Sequence, residues 1–509
     1  MEPLQQDDAR SAGAAFRERL VSSLAWSAAA VPFAALFPWL ASIVLYRTLG
    51  TAGFATYVVL RSAVDSALLF SDLGLSTVVQ RFLPELRNWS EERRLLTAVI
   101  AVKGALLGSL TVLLLVWPEP LLAASGLDDS STAAVIIVLV LVAERNVWLL
   151  AQAVMTADLR LRALSLLLIV FGFVTQSMVA LAAVISGDAT VALGALACGE
   201  LLQTTVLMGV ALRRPEKAPT PNVKPVVARR AAHYLGSALI LKLGRYVQGP
   251  AFTALVLSAV AGQEEVAAFA VMFTVVVGGL GLLATPLTGM STSVVATAFA
   301  SSADRGRATI MALTKLSLLL TVPAAVGMSA VGALLIDVLY GAESDPSVAV
   351  ISVLAAVSVL STVGSVATVS VQNVEAFRRL NLGSLATFVV GGGAVLVLGN
   401  AFGMIGVALG LLVGAGLASG WATVLLFLEA GVPFPLGFAL RLAVASAPLG
   451  LLAGVGLAVT DLPADVVLIS GSLLLSYTLF RLLGGIGATE RSLLAATPHR
   501  AGRLISRVV

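Results

Sequence analysis

Long apolar runs, broken at intervals by short polar or proline-rich stretches, set the pattern of this chain. An α-helix rises about 1.5 Å per residue, so about 20 apolar residues cross the hydrocarbon core of a bilayer. Runs of that kind occur at 20–46, 53–80, 95–117, 132–156, 163–186, 189–212, 232–260, 265–299, 308–340, 346–374, 381–399, 403–429, 437–460 and 464–485. They predict an all-α polytopic membrane protein of about 14 transmembrane helices. The runs at 265–299 and 308–340 exceed one crossing and predict tilt or projecting ends.

Composition supports that pattern. Of 509 residues, 58% are hydrophobic and 12% charged, with a mean hydropathy of +0.99. Soluble proteins carry about 25% charged residues. A soluble enzyme, a nucleic-acid-binding protein and a disordered scaffold are therefore excluded. One cysteine, Cys198, and two histidines, His233 and His499, leave no disulfide framework or Cys/His metal cluster. No G-x-x-x-x-G-K-[ST] loop is present to bind ATP, and no cofactor is predicted. The first 19 residues are polar, and the apolar run after them is too long for a cleaved signal peptide, so the first helix carries targeting.

The net charge of +4 follows topology. With the N-terminus in the cytoplasm, 25 of the 32 Lys and Arg fall on cytoplasmic segments and only Arg47 outside. This bias predicts an inner (cytoplasmic) membrane protein with both termini cytoplasmic. The expected organisation is a cytoplasmic N-terminal segment (1–19), an N-lobe of spans 1–6 (20–212), a linker (213–231), a C-lobe of spans 7–12 (232–429), spans 13–14 (430–485) and a cytoplasmic tail (486–509). The linker carries Pro215, Pro219, Pro221 and Pro225. Every external connection is short, which leaves no room for the acceptor-binding domain of a polymerase or glycosyltransferase.

The two lobes repeat each other. Phe54-Ala55-Thr56-Tyr57 aligns with Phe269-Ala270-Val271-Met272 at an offset of 215, and Leu75-Ser76-Thr77-Val78 with Met290-Ser291-Thr292-Ser293 at the same offset. Pro38 falls on Pro250 and Lys103 on Lys315 at 212, and Arg160 on Arg378 at 218. Six spans separate equivalents, so the lobes are parallel repeats, an arrangement suited to alternating access around a central cavity. Pro32 and Pro38 in span 1 and Pro250 in span 7 interrupt matching helices, either as hinges or as static kinks.

Ionisable residues inside a membrane need a partner or a watery cavity. Six basic residues lie well inside spans, away from their ends, Arg61, Lys103, Arg145, Lys242, Arg245 and Lys315, against four acids, Asp65, Asp72, Glu144 and Glu200. Arg61, Asp65 and Asp72 share one helical face, where Arg61 and Asp65 either line a cavity or neutralise each other. Lys242 and Arg245 sit near mid-depth of span 7 with no acid nearby in sequence. They face substrate, or else pair across helices with Glu144 or Glu200. Lys103 and Lys315 line the cavity or snorkel to the interface. Glu144 and Arg145, being adjacent, point to different neighbours. The surplus of cations fits an anionic guest such as pyrophosphate. The four acids are candidates for H+ or Na+ coupling, and Asp72 alternatively caps or pairs with a cytoplasmic arginine. Gly406, Gly410 and Gly414, with Gly391-Gly392-Gly393, predict close helix packing.

Two stretches carry a family resemblance. Leu49-Gly50-Thr51-Ala52-Gly53-Phe54-Ala55-Thr56-Tyr57 resembles the "LG, then G-x-a-x-Y" lead-in to span 2 of the polysaccharide-transporter branch of the multidrug/oligosaccharidyl-lipid/polysaccharide (MATE-like) exporter superfamily. Leu69-Phe70-Ser71-Asp72-Leu73-Gly74-Leu75, with Gln80-Arg81-Phe82-Leu83-Pro84-Glu85-Leu86, resembles that branch's "DLGL … RFLPE" signature. The resemblance implies a secondary transporter, not an enzyme, that flips polyprenyl-pyrophosphate-linked oligosaccharides. O-antigen, lipopolysaccharide or capsule precursors would be its substrates, and a polysaccharide polymerase or assembly proteins its partners. Span 1 carries no charge beyond Arg19, unlike the charged span 1 of the lipid II flippase branch. The alternatives are a cation-coupled multidrug exporter of the same superfamily and a membrane-embedded glycosyltransferase or polymerase.

Overall fold

The computed structural model describes residues 3–86, 89–127, 132–158, 160–213, 228–283, 291, 294–295, 298–299, 302–341, 346–373, 377–451 and 462–482. Among these, every regular element is helical. The core of the linker, the tail 486–509 and Met290, Thr292 and Ser293 of the repeat lie outside the described residues. Nine described helices are long and apolar enough to cross a membrane. Their outward faces expose apolar side chains such as Val112, Val116, Val397 and Phe402, as lipid contact requires.

The chain divides into two compact units, Met1–Lys242 and Leu243–Val509. The first holds α1 (Pro3–Asp72), α2 (Leu75–Phe82), α3 (Trp89–Val116), α4 (Glu119–Ser125), α5 (Thr132–Ala157), α6 (Leu161–Ser186), α7 (Ala189–Leu212) and most of α8 (Ala228–Tyr246). The second holds α9 (Pro250–Val260), α10 (Gln263–Phe273), α11 (Ala303–Tyr340), α12 (Val348–Asn373), α13 (Phe377–Ala386), α14 (Gly392–Ala430), α15 (Leu436–Leu451) and α16 (Leu462–Leu482). Two π-helical turns, Thr274–Gly278 after α10 and Thr387–Gly391 before α14, occur in the second unit.

Spans 1 and 2 were expected as separate helices, yet α1 runs through both with a single break at Gly50 (φ 68°, ψ −178°). Tyr46 and Phe54 meet with ring centroids 5.4 Å apart. Eight residues of straight helix would separate them by about 12 Å, so the chain reverses at Gly50. One glycine suffices because it alone enters this backbone region freely. Gly403 (φ 58°) does the same in α14, where spans 11 and 12 were expected. Across that reversal a Cβ on Gly410 would lie 2.5 Å from Val395 Cα, and one on Gly391 2.8 Å from Gly414 Cα. The expected close packing is thus the closure of one hairpin for Gly391, Gly406, Gly410 and Gly414, whereas Gly392 faces Val247 and Gly393 has open space around its Cβ.

Span 2 was expected to continue to residue 80. Instead α1 ends at Asp72, and Leu73 (φ 44°) and Gly74 (φ 90°) break the helix before α2. The prolines also differ from expectation. Pro32 and Pro38 lie inside α1, which continues through both. Pro250 opens α9 after a break at Val247–Gly249, where a missing N–H costs nothing. Pro38 and Pro250 match in sequence but not in local structure.

The repeat is visible in the left-handed glycines at turns. Gly50 and Gly262, Gly126 and Gly341, and Gly187 and Gly403 all have positive φ and stand 212, 215 and 216 residues apart. The helix after the third turn is capped differently in each unit. Asp188 accepts from the N–H groups of Thr190 (2.7 Å) and Val191 (3.0 Å), whereas Glu265, distant in sequence, accepts from Met404 N–H at 2.9 Å. Helices α15 and α16, outside the repeat, pack on α11 and α12 through Leu318, Val363, Phe438, Leu442 and Phe480.

The hairpin geometry predicts that Gly410→Ala lowers stability by about 1–3 kcal/mol through overpacking. Gly416→Ala, with open space around its Cβ, should be neutral or gain up to about 1 kcal/mol of helix propensity. Thermal unfolding of the two variants in detergent checks the pair.

Candidate functional site

The break after α1 delivers Asp72 into the interior of the first unit, where its side chain is 2% exposed. The carboxylate first satisfies its own turn. Oδ2 accepts from Gly74 N–H (3.2 Å), and Oδ1 from Ser76 N–H (3.3 Å) and Ser76 Oγ–H (2.5 Å). It then takes two ammonium groups, Lys103 of α3 on Oδ1 and Lys242 of α8 on Oδ2, each at 2.6 Å. Gly74 permits this approach of α8, since a Cβ there would lie 3.2 Å from Ala238 Cβ and 3.5 Å from the Leu239 backbone nitrogen. Leu73, a non-glycine at positive φ, stores strain that the network around Asp72 holds in place.

The two lysines differ. Lys103, 7% exposed, also donates to Ser76 Oγ (2.9 Å) and to Asn146 O (3.2 Å) and Oδ1 (3.3 Å). Asn146 Nδ2 in turn donates to Ser71 Oγ (2.7 Å) and Val142 O (2.9 Å). Lys242 is 34% exposed and its hydrogen bond goes to Asp72. The expectation that Lys242 has no acidic partner is therefore corrected: Asp72, not Glu144 or Glu200, pairs with it. The acid was missed because it lies 170 residues away along the chain. Lys103 neither snorkels nor lines a cavity, because the carboxylate and the Asn146 oxygens satisfy it inside the protein.

A second network centres on Arg145 of α5. Its Nε and Nη2 grip Glu200 of α7 in a fork, both at 2.8 Å, while Nη1 binds Asp65 of α1. This bidentate geometry is what a guanidinium does best. Asp65 accordingly pairs with Arg145 and not with Arg61. Glu144, adjacent to Arg145, is buried, and its Oε2 has no hydrogen-bond partner among the described residues. Two carboxylates thus share one guanidinium.

The remaining predicted residues lie apart from these networks. Arg61 is half-buried and Arg245 exposed, and neither has an ion-pair partner among the described residues. Arg245 stands one turn beyond Lys242 on the same helix face. Lys315 lies over the Phe438 ring at 5.9 Å, so the repeat partner of Lys103 packs against the terminal helix pair. Ser76 and Asn146 were not selected from sequence as site residues. The available signals were the i+4 spacing of Ser76 from Asp72 and an amide in the middle of an apolar run. No group of three or more His, Cys, Asp or Glu among the described residues is placed to hold a metal ion.

Residues 44–349 match the family described as "Polysaccharide biosynthesis protein". The chain belongs to that family. No curated protein sequence matches it. The chain shares its fold with "Lipid II flippase MurJ, inward closed conformation" at a TM-score of 0.67 and 14% identity, over 90% of this chain and 99% of that one. An inward-facing multidrug resistance MATE family transporter of the MOP superfamily aligns at 0.58 and 14%, over 78% and 94%. A MOP superfamily transporter from Pyrococcus furiosus, described by the reverse polarity of its binding pocket, aligns at 0.57 and 13%, over 81% and 95%. These structures belong to a flippase and to transporters. At such identities the likeness shows the fold alone: a polytopic helical membrane protein.

Removing one member of a buried ion pair strands the other charge, at about 3–5 kcal/mol. Arg145→Met, which strands both Asp65 and Glu200, should lower thermal stability by that order, and adding Glu200→Gln should restore part of it. Lys242→Gln should cost much less, because Asp72 keeps Lys103. Melting curves of the three variants in one detergent check the ranking.

Proposed function

We propose that this protein flips a polyprenyl-pyrophosphate-linked oligosaccharide, such as an O-antigen or capsule precursor, across the cytoplasmic membrane by alternating access. The observation that carries the reading is the surplus of positive charge around Asp72. One buried carboxylate is shared by two ammonium groups, of which Lys242 is a third exposed, and Arg245 beside it has no described partner. A cationic site in a membrane interior is costly unless an anion completes it. A diphosphate offers two negative charges to point-charge lysines and a forked arginine. Membership of a polysaccharide biosynthesis family favours a saccharide on the far side of that diphosphate.

Arg61, Lys242 and Arg245 are the residues assigned to the substrate in this reading, while Lys103 and Arg145 hold the acids. Lys315, against Phe438, has the weaker claim to substrate. Glu144 is the favoured site for coupling to H+, because a buried carboxylate oxygen without a donor is best satisfied by carrying a proton. Both termini are assigned to the cytoplasm on the positive-inside count, and a polysaccharide polymerase or assembly machinery would receive the flipped product.

The acid-rich Arg145 network favours a second reading, a cation-coupled multidrug exporter. The two separate in proteoliposomes. Lys242→Gln with Arg245→Gln should reduce flipping of a polyprenyl-diphosphate saccharide at least about tenfold, the loss of one or two charge-assisted hydrogen bonds. Depletion in cells should leave that lipid-linked intermediate on the cytoplasmic side. Intact flipping in the double variant, with transport abolished by Asp65→Asn or Glu200→Gln, would support the exporter instead.

A further inference from the structure

We propose that Asp72 determines headgroup selectivity: it is a built-in anionic competitor that only a diphosphate lipid displaces from Lys242. The inference rests on the proposed substrate reading and adds to it a means of rejecting ordinary phospholipids, which outnumber any lipid-linked saccharide in a membrane.

The argument starts from the unequal claims on Asp72. Lys103 is buried and has four acceptors within 3.3 Å, so it stays where it is. Lys242 is a third exposed and is held by Asp72 Oδ2 at 2.6 Å. When Lys242 leaves, Asp72 is not stranded. It keeps Lys103 and three hydrogen bonds from its own turn, from Gly74 N–H, Ser76 N–H and Ser76 Oγ–H. The usual penalty for opening a buried ion pair, an uncompensated charge, is therefore removed. Lys242 can be exchanged at low cost, but an incoming anion must still outbid a carboxylate.

Charge number decides that competition. A phosphodiester carries one negative charge, the same as Asp72, so exchanging one for the other gains Lys242 nothing and costs the desolvation of a new group. A diphosphate carries at least two, and Arg245, one turn along α8, can take part of the second. Specificity thus comes from a repulsive or competing element as much as from attraction. The Leu73–Gly74 break serves this design, since it holds Asp72 at the helix end where α8 can reach it.

The test measures binding of farnesyl diphosphate and of a phosphodiester lipid, short-chain phosphatidylglycerol, to the full chain in nanodiscs. Wild type should prefer the diphosphate at least about tenfold. Asp72→Asn should bind both ligands more tightly and bring their ratio towards one. Because Asp72→Asn leaves Lys103 without its counter-ion, Asp72→Asn with Lys103→Met is measured beside it and should show the same collapse of selectivity. Lys242→Gln should lose diphosphate binding. If Asp72 merely positions Lys242, both Asp72 variants will bind the diphosphate more weakly; that result, or an unchanged ratio, overturns the selectivity role while leaving the substrate reading standing. Failure of wild type to bind either ligand overturns the substrate reading, and the inference falls with it.

Discussion

A carboxylate withdrawn from water into a membrane protein must find its counter-charge inside the protein, and much of the first unit is arranged around doing so for Asp72. The helix stops at that residue, adopts a left-handed leucine and glycine, and restarts, so that the carboxylate accepts from its own turn while facing α3 and α8. Lys103 then ties α3 to Asn146 of α5 through the same centre. Five helices, α1, α2, α3, α5 and α8, are joined by one ionic group. The apolar packing of Leu75, Val79, Val99 and Leu150 closes around it and excludes the water that would weaken it.

The two units of the repeat differ at this centre among the described residues. Both units inherit the same turns, marked by the paired left-handed glycines. Their chemistry has diverged. Lys103 sits in an ionic network while Lys315 faces an aromatic ring from the added helix pair. Asp188 caps its own helix locally, whereas Glu265 reaches across to the Met404 N–H, where a Cβ on Gly403 would meet the carboxylate. The described acids of the ionic networks, Asp65, Asp72, Glu144 and Glu200, all belong to the first unit, and the π-helical turns to the second. A duplicated scaffold has thus placed these acids in one half and π-helical turns, which are frequent at functional sites, in the other.

Much of the architecture could be read from residues alone, and the reason is length and hydropathy. Runs of about 20 apolar residues have few alternatives to crossing a membrane as helices, and the repeat was readable because Lys103, Lys315 and the FAxY-like segments kept their spacing. What misled was punctuation. Gly50 was read as part of a loop between spans and Gly403 as the first residue of a span, yet each single residue reverses the chain. Leu73-Gly74 was read through as helix, because leucine seldom adopts positive φ and nothing local announces that it will.

The site shows the same division. That ten ionisable residues lay well inside the membrane-spanning runs, away from their ends, and that basic ones outnumbered acidic ones there, followed from the sequence by itself, since lipid forbids charge without purpose. Which of them satisfy each other did not. Asp72 and Lys242 are 170 residues apart and Arg145 and Asp65 are 80 apart, so no spacing rule along one helix can join them. Pairing depends on which helices lie side by side and how each is rotated. Only the tertiary structure decided that Lys103 and Arg145 are held by acids, that Lys242 is shared, and that Arg61 and Arg245 are left without described carboxylates.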